Sequence, residues 1–396
     1  MLSFLRKGLV VLVIFGVLLL PSLDMTAECK SKLGEGKFRD VPLEMITVME
    51  KQFSSVLTPN GPNEEVPRGA KDLILTPEEE VKVKELGLDD YYFMGASLDM
   101  TEILNKYGMD QELAHYGFQP IKFMGSSSIA EQIDQVNSLA GKAGAISFVI
   151  AEAWEPVTLG PAFVNLAKAG VPQVHNWTTP QGLAGTENYV GLVDADGYAQ
   201  GMAAAEILSY AMGYQGEVGI IYFSLEQWTN VMRLKGAKDT FAKYPGIKIV
   251  SEVGFTDPSQ SYDLAVGMLQ KNPEIDAIWA TWMMGPATGG AEAVIALNKV
   301  GEVIVAAPDL GGTTGAKYIA DPNHPIIGAG EADCVEMGVN SIRSILKYLA
   351  GNREISQGYF VSRVYPIVKA NLVEAYNKTN LEAIGPLPQE VLDLLK

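Results

Sequence analysis

Short apolar stretches alternate with amphipathic stretches along the chain from Tyr92 to Ile367. Most of the apolar stretches are rich in β-branched residues, and they end at polar, aromatic or acidic residues. Strands that are buried on both faces have continuous apolar sequences of this kind, and strands that alternate with helices form parallel sheets. The clearest strand sequences are AGAISFVIAE (143–152), AKAGVPQVHNW (167–177), GEVGIIYFS (216–224), PEIDAIWATW (273–282) and GEVIVAAPDL (301–310).

The strand–helix pattern restarts in the middle of the chain. A first group of strands ends near residue 194, and a helix rich in small residues from Asp196 to Met212 opens a second group. A chain of 396 residues is also too long for one ordinary core. Two successive sets of βαβ units predict an α/β fold with two doubly wound parallel-sheet lobes, rather than a closed barrel.

Ligands of open parallel sheets bind beyond the carboxyl ends of the strands. Trp177, Trp228 and Trp282 each follow a predicted strand, whereas Trp279 lies inside one and is expected in the core. Carboxylates and amides bind sugar hydroxyls, and aromatic rings stack on the apolar faces of sugars. Any one of these tryptophans could instead cover the core, but three at separate strand ends favour a cleft that binds an organic molecule.

Charge and motifs exclude other classes of function. The formal charge of −17 argues against a nucleic-acid partner, because phosphate binding depends on clustered lysine and arginine side chains. The chain has no Gly-x-Ser-x-Gly motif and no phosphate-binding glycine loop, so an enzyme is not expected. The three histidines share no metal-ligand spacing, so no metal and no cofactor are expected.

The N-terminus has the composition of an export signal. Two basic residues precede the apolar stretch Leu9–Leu20, Pro21 ends it, and small residues follow near Ala27. This stretch is short for a helix that spans a bilayer. Residues 1–27 are therefore predicted to be a cleaved signal peptide. An uncleaved anchor is the alternative, because the cleavage site departs from the usual pattern.

The two cysteines, Cys29 and Cys334, leave several possibilities open. Cys29 ends the tetrad Thr26-Ala27-Glu28-Cys29, which partly resembles a bacterial lipoprotein site, so lipid attachment is one of them. In an oxidising compartment the two cysteines could instead form a disulfide, or both could be free thiols.

Residues 28–90 precede the first predicted strand of the repeating pattern. An amphipathic helix is predicted from Asp40 to Val56, with Asp40 as its N-cap. The segment 58–69 is rich in turn formers and is predicted to be irregular. Thr76-Pro77-Glu78-Glu79 predicts a helix start with a capping box. We expect this whole extension to lie outside a ligand cleft.

Four segments carry family motifs in a fixed order: AGVPQVHNW (169–177), RLKGAKDTFAKYPGIKIV (233–250), DPSQSYDLAVGMLQKNPEIDAIWATW (257–282) and VIVAAPDLGG (303–312). Together they resemble type I periplasmic binding proteins, the group of the ribose- and galactose-binding proteins. The resemblance covers roughly residues 91–370. It implies the type I fold, in which two doubly wound lobes are joined by a three-segment hinge.

The resemblance also implies where the ligand contacts lie. The aspartate of the last motif is retained as Asp309, whereas aromatic or apolar residues replace several polar positions, so the ligand is expected to have an apolar face. Asp309 could instead cap a helix, Asn176 could hold a turn, and Glu331 could belong to the hinge. Arg233 is expected to bind loop carbonyls. The expected ligand-binding residues are Asp99, Met100, Asn176, Trp177, Trp228, Asn230, Trp282, Asp309 and Glu331.

An exported protein of this fold implies a substrate-binding protein that delivers a small organic molecule to an ABC importer. Its expected partners are that ligand and a membrane permease, and the chain itself is expected to be a monomer in the periplasm or at the cell surface. The ligand would close the two lobes upon each other. The alternative is a ligand-sensing co-receptor for a membrane kinase or chemoreceptor, which would use the same closure.

Periodicity and the resemblance together predict the domain boundaries. Crossings between the lobes are expected near Asp194-Ala195, Ala332-Asp333 and Gln357-Gly358. The predicted domains are a signal peptide (1–27), an N-terminal extension and linker (28–90), lobe 1 (91–194 plus 333–357), lobe 2 (195–332 plus 358–370) and a C-terminal tail (371–396).

Overall fold

The structure, a computed structural model, describes residues 37–95 and 99–396. The predicted signal peptide and Cys29 lie outside the described residues. The α-helices are α1 (Leu43–Phe53), α2 (Pro77–Lys84), α3 (Met100–His115), α4 (Ile129–Ala140), α5 (Pro156–Lys168), α6 (Gly197–Ala211), α7 (Trp228–Phe241), α8 (Ser261–Lys271), α9 (Thr288–Ala296), α10 (Gly312–Ala320), α11 (Cys334–Leu349), α12 (Leu372–Thr379), α13 (Leu381–Ile384) and α14 (Gln389–Leu394).

The strands are β1 (Pro67–Gly69), β2 (Asp90–Gly95), β3 (Lys122–Gly125), β4 (Ile146–Glu152), β5 (Gln173–Asn176), β6 (Tyr189–Ala195), β7 (Gln215–Phe223), β8 (Gly246–Phe255), β9 (Ile275–Ala280), β10 (Ile304–Pro308), β11 (Ile326–Ala332), β12 (Gly358–Ser362) and β13 (Val364–Val368). Among the residues described, no helix combines the length and the apolar composition needed to span a bilayer.

The first lobe is built on a seven-stranded sheet with the order β1-β12-β6-β5-β4-β2-β3, and all its strand pairs are parallel. Phe148 and Ile150 of β4 pack with α3 and α11 on one face of this sheet. Val149 and Ala151 pack with α4 and α5 on the other face. Because both faces are buried, β4 is continuously apolar from Phe148 to Ala151 rather than alternating.

The second lobe has a six-stranded sheet with the order β13-β11-β10-β9-β7-β8. Only the edge strand β13 runs antiparallel to its neighbour in this sheet. Ala277 and Trp279 of β9 pack towards α6, while Ile278 and Ala280 pack towards α8 and α9. Two parallel-sheet lobes with helices on both faces confirm the fold class predicted from the sequence.

The chain crosses between the lobes where adjacent elements belong to different sheets. It passes from β6 to α6, from β11 to α11, and from β12 to β13. The third crossing lies at Arg363, because β12 pairs with β6 of the first lobe. The predicted crossing at Gln357-Gly358 is therefore corrected. All five residues of β12 are buried, so its sequence does not indicate which sheet it joins.

The N-terminal extension contacts both lobes and adds a fourth crossing among the described residues. Met49 and Phe53 of α1 share an apolar cluster with α6 of the second lobe. β1 pairs with β12 of the first lobe, so the segment predicted to be irregular contains an edge strand. Between these elements, the backbone N–H groups of Leu57 and Thr58 donate to Asp196 at the hinge, at 2.6 and 3.1 Å.

The remaining terminal elements are also packed. Helix α2 begins with the predicted capping box, in which Thr76 and Glu79 each accept the other's backbone N–H. Helix α1 is shorter than predicted and begins after Pro42 without a side-chain cap. In the predicted C-terminal tail, Tyr376 and Val391 belong to the core of the second lobe. Both ends of the described chain therefore stabilise the lobes.

Candidate ligand-binding cleft

The strand ends of the two sheets face each other across a cleft between the lobes. Glu152 and Asn176 are paired last residues of β4 and β5 in the first lobe. From the second lobe, Gln227 Nε2 donates to Glu152 Oε1 at 3.2 Å. The Arg233 guanidinium lies 5.7 Å from the centre of the Trp177 ring. Because parallel sheets bind ligands at this edge, the cleft is the candidate functional site.

Helix α7 joins the lobes through a chain of hydrogen bonds. The backbone N–H and Oγ1 of Thr229 donate to the Trp177 carbonyl oxygen at 3.1 and 2.7 Å. The same Oγ1 lies 2.6 Å from Asp194 Oδ2. One hydroxyl has one proton to donate, so both bonds form when Asp194 is protonated. Burial raises the pKa of Asp194 to about 7, which permits this state near neutral pH.

Two cleft residues at corresponding places have left-handed backbone conformations. Trp177 directly follows β5 with a φ of 63°, and Asp309 directly follows β10 with a φ of 54°. Residues other than glycine adopt this conformation at a cost, and such strain concentrates at functional sites. Both positions were predicted from the sequence as ligand contacts.

Asp309 is a partly buried carboxylate beside an arginine. Its Oδ1 accepts from the Met283 backbone N–H at 3.1 Å, and its Oδ2 lies 3.7 Å from Arg233 Nη1. Burial raises the pKa of Asp309 to about 6, although Arg233 opposes the shift. Helix α10 begins at Gly312, and its N-cap residue Gly311 has no side chain to cap it, so Asp309 does not have the alternative capping role.

Arg233 is held from several sides within the second lobe. Its Nε donates to Gln200 Oε1 at 3.0 Å, and its Nη1 donates to the Thr281 carbonyl at 3.4 Å. The second bond is of the kind expected from the sequence. Because its position is fixed, Arg233 presents a defined cation beside Asp309 and beneath the Trp177 ring.

Glu102 and Glu152 bring two carboxyl groups together on the first-lobe side of the cleft. We call them the acid pair. Burial raises the pKa of both carboxyls, and the pKa of Glu102 lies well above its usual range because the Glu152 charge adds to the effect. Two buried carboxyls in contact favour a shared proton, because neither carboxylate tolerates a second charge beside it.

Asn176 and Glu331 are fully engaged with protein groups beneath the cleft. Asn176 Nδ2 donates to the Val193 carbonyl and to Ser341 Oγ, and its Oδ1 accepts from Asn105. Glu331 accepts from the Leu310 backbone N–H and from Asn380. Burial raises the pKa of Glu331 to about 8. These two side chains therefore stabilise the structure beneath the cleft through hydrogen bonds to protein groups.

Two of the three predicted stacking rings pack against protein. Trp228 lies beside Tyr359 and Val361 at the hinge. Trp282 lies against Phe223 and Phe255, with ring centres 5.4 and 5.1 Å apart, and its Nε1 donates to the Met284 carbonyl at 2.8 Å. Trp177 also belongs to the apolar core of the first lobe and is 7% exposed, but it is the predicted ring that approaches a charged group of the opposite lobe.

Asp99 and Met100 begin α3 at the edge of the first lobe. Asp99 is exposed, and its Oδ1 accepts from the Thr101 backbone N–H at 2.9 Å as the helix N-cap. Met100 reaches across the cleft to Gly312, where an added Cβ would lie 2.9 Å from the Met100 Cε atom. A side chain at position 312 would require Met100 to move, and the left-handed φ of 65° at Gly312 independently favours glycine.

Asn230 connects the polar groups of α7. Its Oδ1 accepts from Thr281 Oγ1 at 3.0 Å and from Arg233 Nη1 at 3.5 Å, and its Nδ2 donates to Gln227. It therefore positions Arg233 and Gln227, which themselves contact first-lobe residues.

Three polar cleft residues were missed from the sequence: Glu102, Glu152 and Gln227. Glu152 directly follows the apolar sequence of β4, so the rule that placed candidates after strands applies to it. Glu102 carries no such signal, because it lies within the first turn of α3. Gln227 precedes α7 without matching any motif.

Comparison with known proteins identifies the family. The sequence profile of the family described as "Periplasmic binding protein domain" matches residues 88–352. The chain belongs to the periplasmic binding protein family. Members of this family bind substrates for transport.

Solved periplasmic binding proteins share the fold at low identity. An ABC transporter solute-binding protein of Bacillus halodurans with bound myo-inositol is 19% identical, with a TM-score of 0.63, and the match covers 74% of this chain and 98% of that chain. One of Actinobacillus succinogenes with bound D-allose is 21% identical, with a TM-score of 0.62 and coverages of 72% and 99%. These similarities support the two-lobed fold.

A curated relative matches over a shorter segment. The D-allose-binding periplasmic protein of Escherichia coli is 34% identical over 125 residues, which is 31% of this chain and 40% of that protein. The match therefore spans less than half of the relative's length.

Proposed function

We propose that this protein is an exported solute-binding protein that captures a sugar or sugar-like molecule between its lobes and delivers it to an ABC importer. The observation that carries the proposal is the placement of Trp177, Arg233, Asp309 and the acid pair at the strand ends of two facing lobes. Carboxylates and a guanidinium bind hydroxyl groups, while an indole ring covers an apolar face. The relatives with bound myo-inositol and D-allose agree with this ligand class.

We assign the ligand contacts from both lobes. The first lobe contributes the Trp177 ring, Met100 and the acid pair, and the second lobe contributes Asp309, Arg233 and Gln227. A ligand that touches both sets gains its full contacts only when the lobes are closed. This difference in contacts is what shifts the equilibrium towards the closed form.

Export and delivery follow from the N-terminus and the family. Residues 1–27 have the composition of a signal peptide, so we place the mature protein in the periplasm or at the cell surface, with lipid attachment at Cys29 as an option. Its partner would be a membrane permease, which recognises the closed form of a monomer. The family has this transport role.

Mass spectrometry of ligand that co-purifies with the full chain, followed by calorimetric titration, tests the proposal. Asp309→Asn should weaken binding at least tenfold, about 1.4 kcal/mol, because it removes the charge and one acceptor oxygen of a carboxylate in the cleft. Asp263→Asn, at an exposed position on α8, is the matched control and should leave affinity unchanged. Failure of a broad panel of sugars and cyclitols to bind would contradict the proposed function, as would equal affinity of the two variants.

A further inference from the structure

Three buried oxygen atoms at the first-lobe side of the cleft lack a hydrogen-bond donor among the described residues. They are Glu102 Oε2, Asn105 Oδ1 and Glu152 Oε2. Glu102 and Asn105 lie one turn apart on α3 and are 4% and 1% exposed. Buried polar atoms almost always have partners, so an unpartnered group needs an explanation. The proton that the acid pair shares supplies at most one donor to the two carboxyl oxygens, and Asn105 Oδ1 also requires a donor, so the missing partner is a donor.

These atoms converge on the ends of two neighbouring strands. Asn105 Nδ2 donates to Asn176 Oδ1 at 3.1 Å, and Asn176 is the β5 partner of Glu152 on β4. The Glu102 carboxyl lies within hydrogen-bonding distance of Glu152 and of Asp99. The three acceptors thus lie on the carboxyl edge of the sheet, where ligands of this fold bind.

Negative charge exceeds positive charge around the acid pair. The charged groups that face it are Asp99 at the start of α3 and Arg233 on α7. Arg233 lies 3.7 Å from Asp309 in an ion pair of its own. Across the described residues, no group of acidic, histidine or cysteine side chains has the arrangement of a metal site. An organic cation therefore fits this environment better than a metal ion does.

We propose that the acid pair binds a protonated amine of the ligand, so that the ligand class is an amino sugar or an aminocyclitol. This inference rests on the proposed function, because it concerns the same cleft. A protonated amine supplies both N–H donors and a positive charge to this group of acceptors. Its positive charge replaces the proton that the acid pair shares, and that proton passes to the solvent. A neutral sugar hydroxyl has one donor and no charge, so it leaves the proton in place.

Titration of the full chain with matched neutral and amino compounds tests the proposal. Suitable sets are D-glucose, D-glucosamine and N-acetyl-D-glucosamine, with the galactose and allose counterparts. The best amino sugar should bind at least tenfold more tightly than its neutral partners. Calorimetry in two buffers with different ionisation enthalpies should show proton release on binding the amino sugar and none on binding a neutral sugar.

Glu102→Gln keeps the shape of the side chain and removes its charge. It should reduce the preference for the amino sugar at least tenfold, while Glu292→Gln, at an exposed position on α9, should leave the preference unchanged. Thermal unfolding establishes that both variants are folded. If Glu102→Gln does not fold, proton release by the unmodified protein decides the question by itself.

The outcomes separate this inference from the proposed function. Neutral sugars that bind as tightly as their amino counterparts, or binding of the amino sugar without proton release, would overturn the amine subsite and leave the sugar-binding function standing. If no compound of either class binds, both proposals fail.

Discussion

Trp177 contributes to the cleft through both its ring and its carbonyl oxygen. The carbonyl accepts two hydrogen bonds from Thr229, and the ring lies over Arg233. Trp279, by contrast, is fully buried within β9 and packs against α6. Because Trp177 also belongs to the first-lobe core, only Trp279 represents a role in stability alone.

Trp177→Ala should weaken ligand binding about tenfold, because an aromatic contact and the packing of Arg233 are lost. Trp279→Ala should lower the free energy of unfolding by about 3–5 kcal/mol and leave the affinity of the folded protein unchanged, because it creates a core cavity. Calorimetric titration and denaturant unfolding measure the two effects. Because Trp177 is buried in the first-lobe core, Trp177→Ala should lower stability as well, and unchanged affinity of the folded variant would contradict a role of the ring in binding.

Individual residues of the ligand site could be predicted only where they belonged to a sequence motif or directly followed a predicted strand. Asp309 was found because it ends a recognisable motif. Glu102 was not found, because its approach to Glu152 depends on how α3 packs on the sheet. Trp282 was predicted to stack on the ligand, but its contacts with Phe223 and Phe255 depend on the shape of the second-lobe core.

At the scale of elements, α1 shows that the N-terminal extension is a structural part of the second lobe. One face of α1 packs with α6, and the other faces solvent. The amphipathic sequence predicted this helix, but it did not indicate the surface that the helix covers. Strand β1 has only three residues and begins with proline, which suits a sheet edge, so its pairing with β12 was not predictable.

Neighbouring residues of α1 provide a matched test of this packing. Met49 is 1% exposed and Val48 is 52% exposed. Met49→Ala should lower the free energy of unfolding by about 2–5 kcal/mol, and Val48→Ala should change it by about 0.5 kcal/mol at most. Denaturant unfolding of the two variants is the measurement. Equal effects would show that α1 does not cover the second lobe.

At the scale of the whole molecule, the crossings between the lobes carry buried carboxyl groups. Burial raises the pKa of Asp194 to about 7 and that of Glu331 to about 8. The folded protein therefore holds these protons more tightly than the unfolded chain does. The free energy of unfolding must then fall as the pH rises through these values.

Thermal unfolding should show a melting temperature a few degrees lower at about pH 9 than at about pH 6.5. Below this range the buried His175 has the opposite effect, because burial lowers its pKa to about 3 and the unfolded chain takes up the proton. Asp194→Asn keeps a donor towards Thr229 and should flatten part of the slope. A melting temperature that rises with pH over this range would contradict the assignment.

The two-lobed fold was predictable because both sheets consist of buried parallel strands with continuous apolar sequences. The number of crossings between the lobes was not predictable from the sequence. The extension adds a fourth crossing, and its bonds to Asp196 join segments 138 and 139 residues apart in the sequence. No local pattern encodes a contact over such a distance.

Two open grooves, of about 630 and 300 Å³, lie at the hinge and beside α12 rather than in the cleft. The larger one is lined by residues 53–56 and 67–72 of the extension, among others. A ligand that bound there would contact the extension and the end of β12 at Ser362, but none of the proposed ligand contacts, which distinguishes the groove from the proposed site.

Hydrogen–deuterium exchange of the full chain with and without the co-purifying ligand tests the central claim most directly. Binding between the lobes should protect residues 99–105 of the first lobe together with residues 227–233 and 309–312 of the second, and should leave α1 unchanged. Protection confined to one lobe, or to the groove lined by residues 53–56 and 67–72, would contradict ligand capture in the cleft.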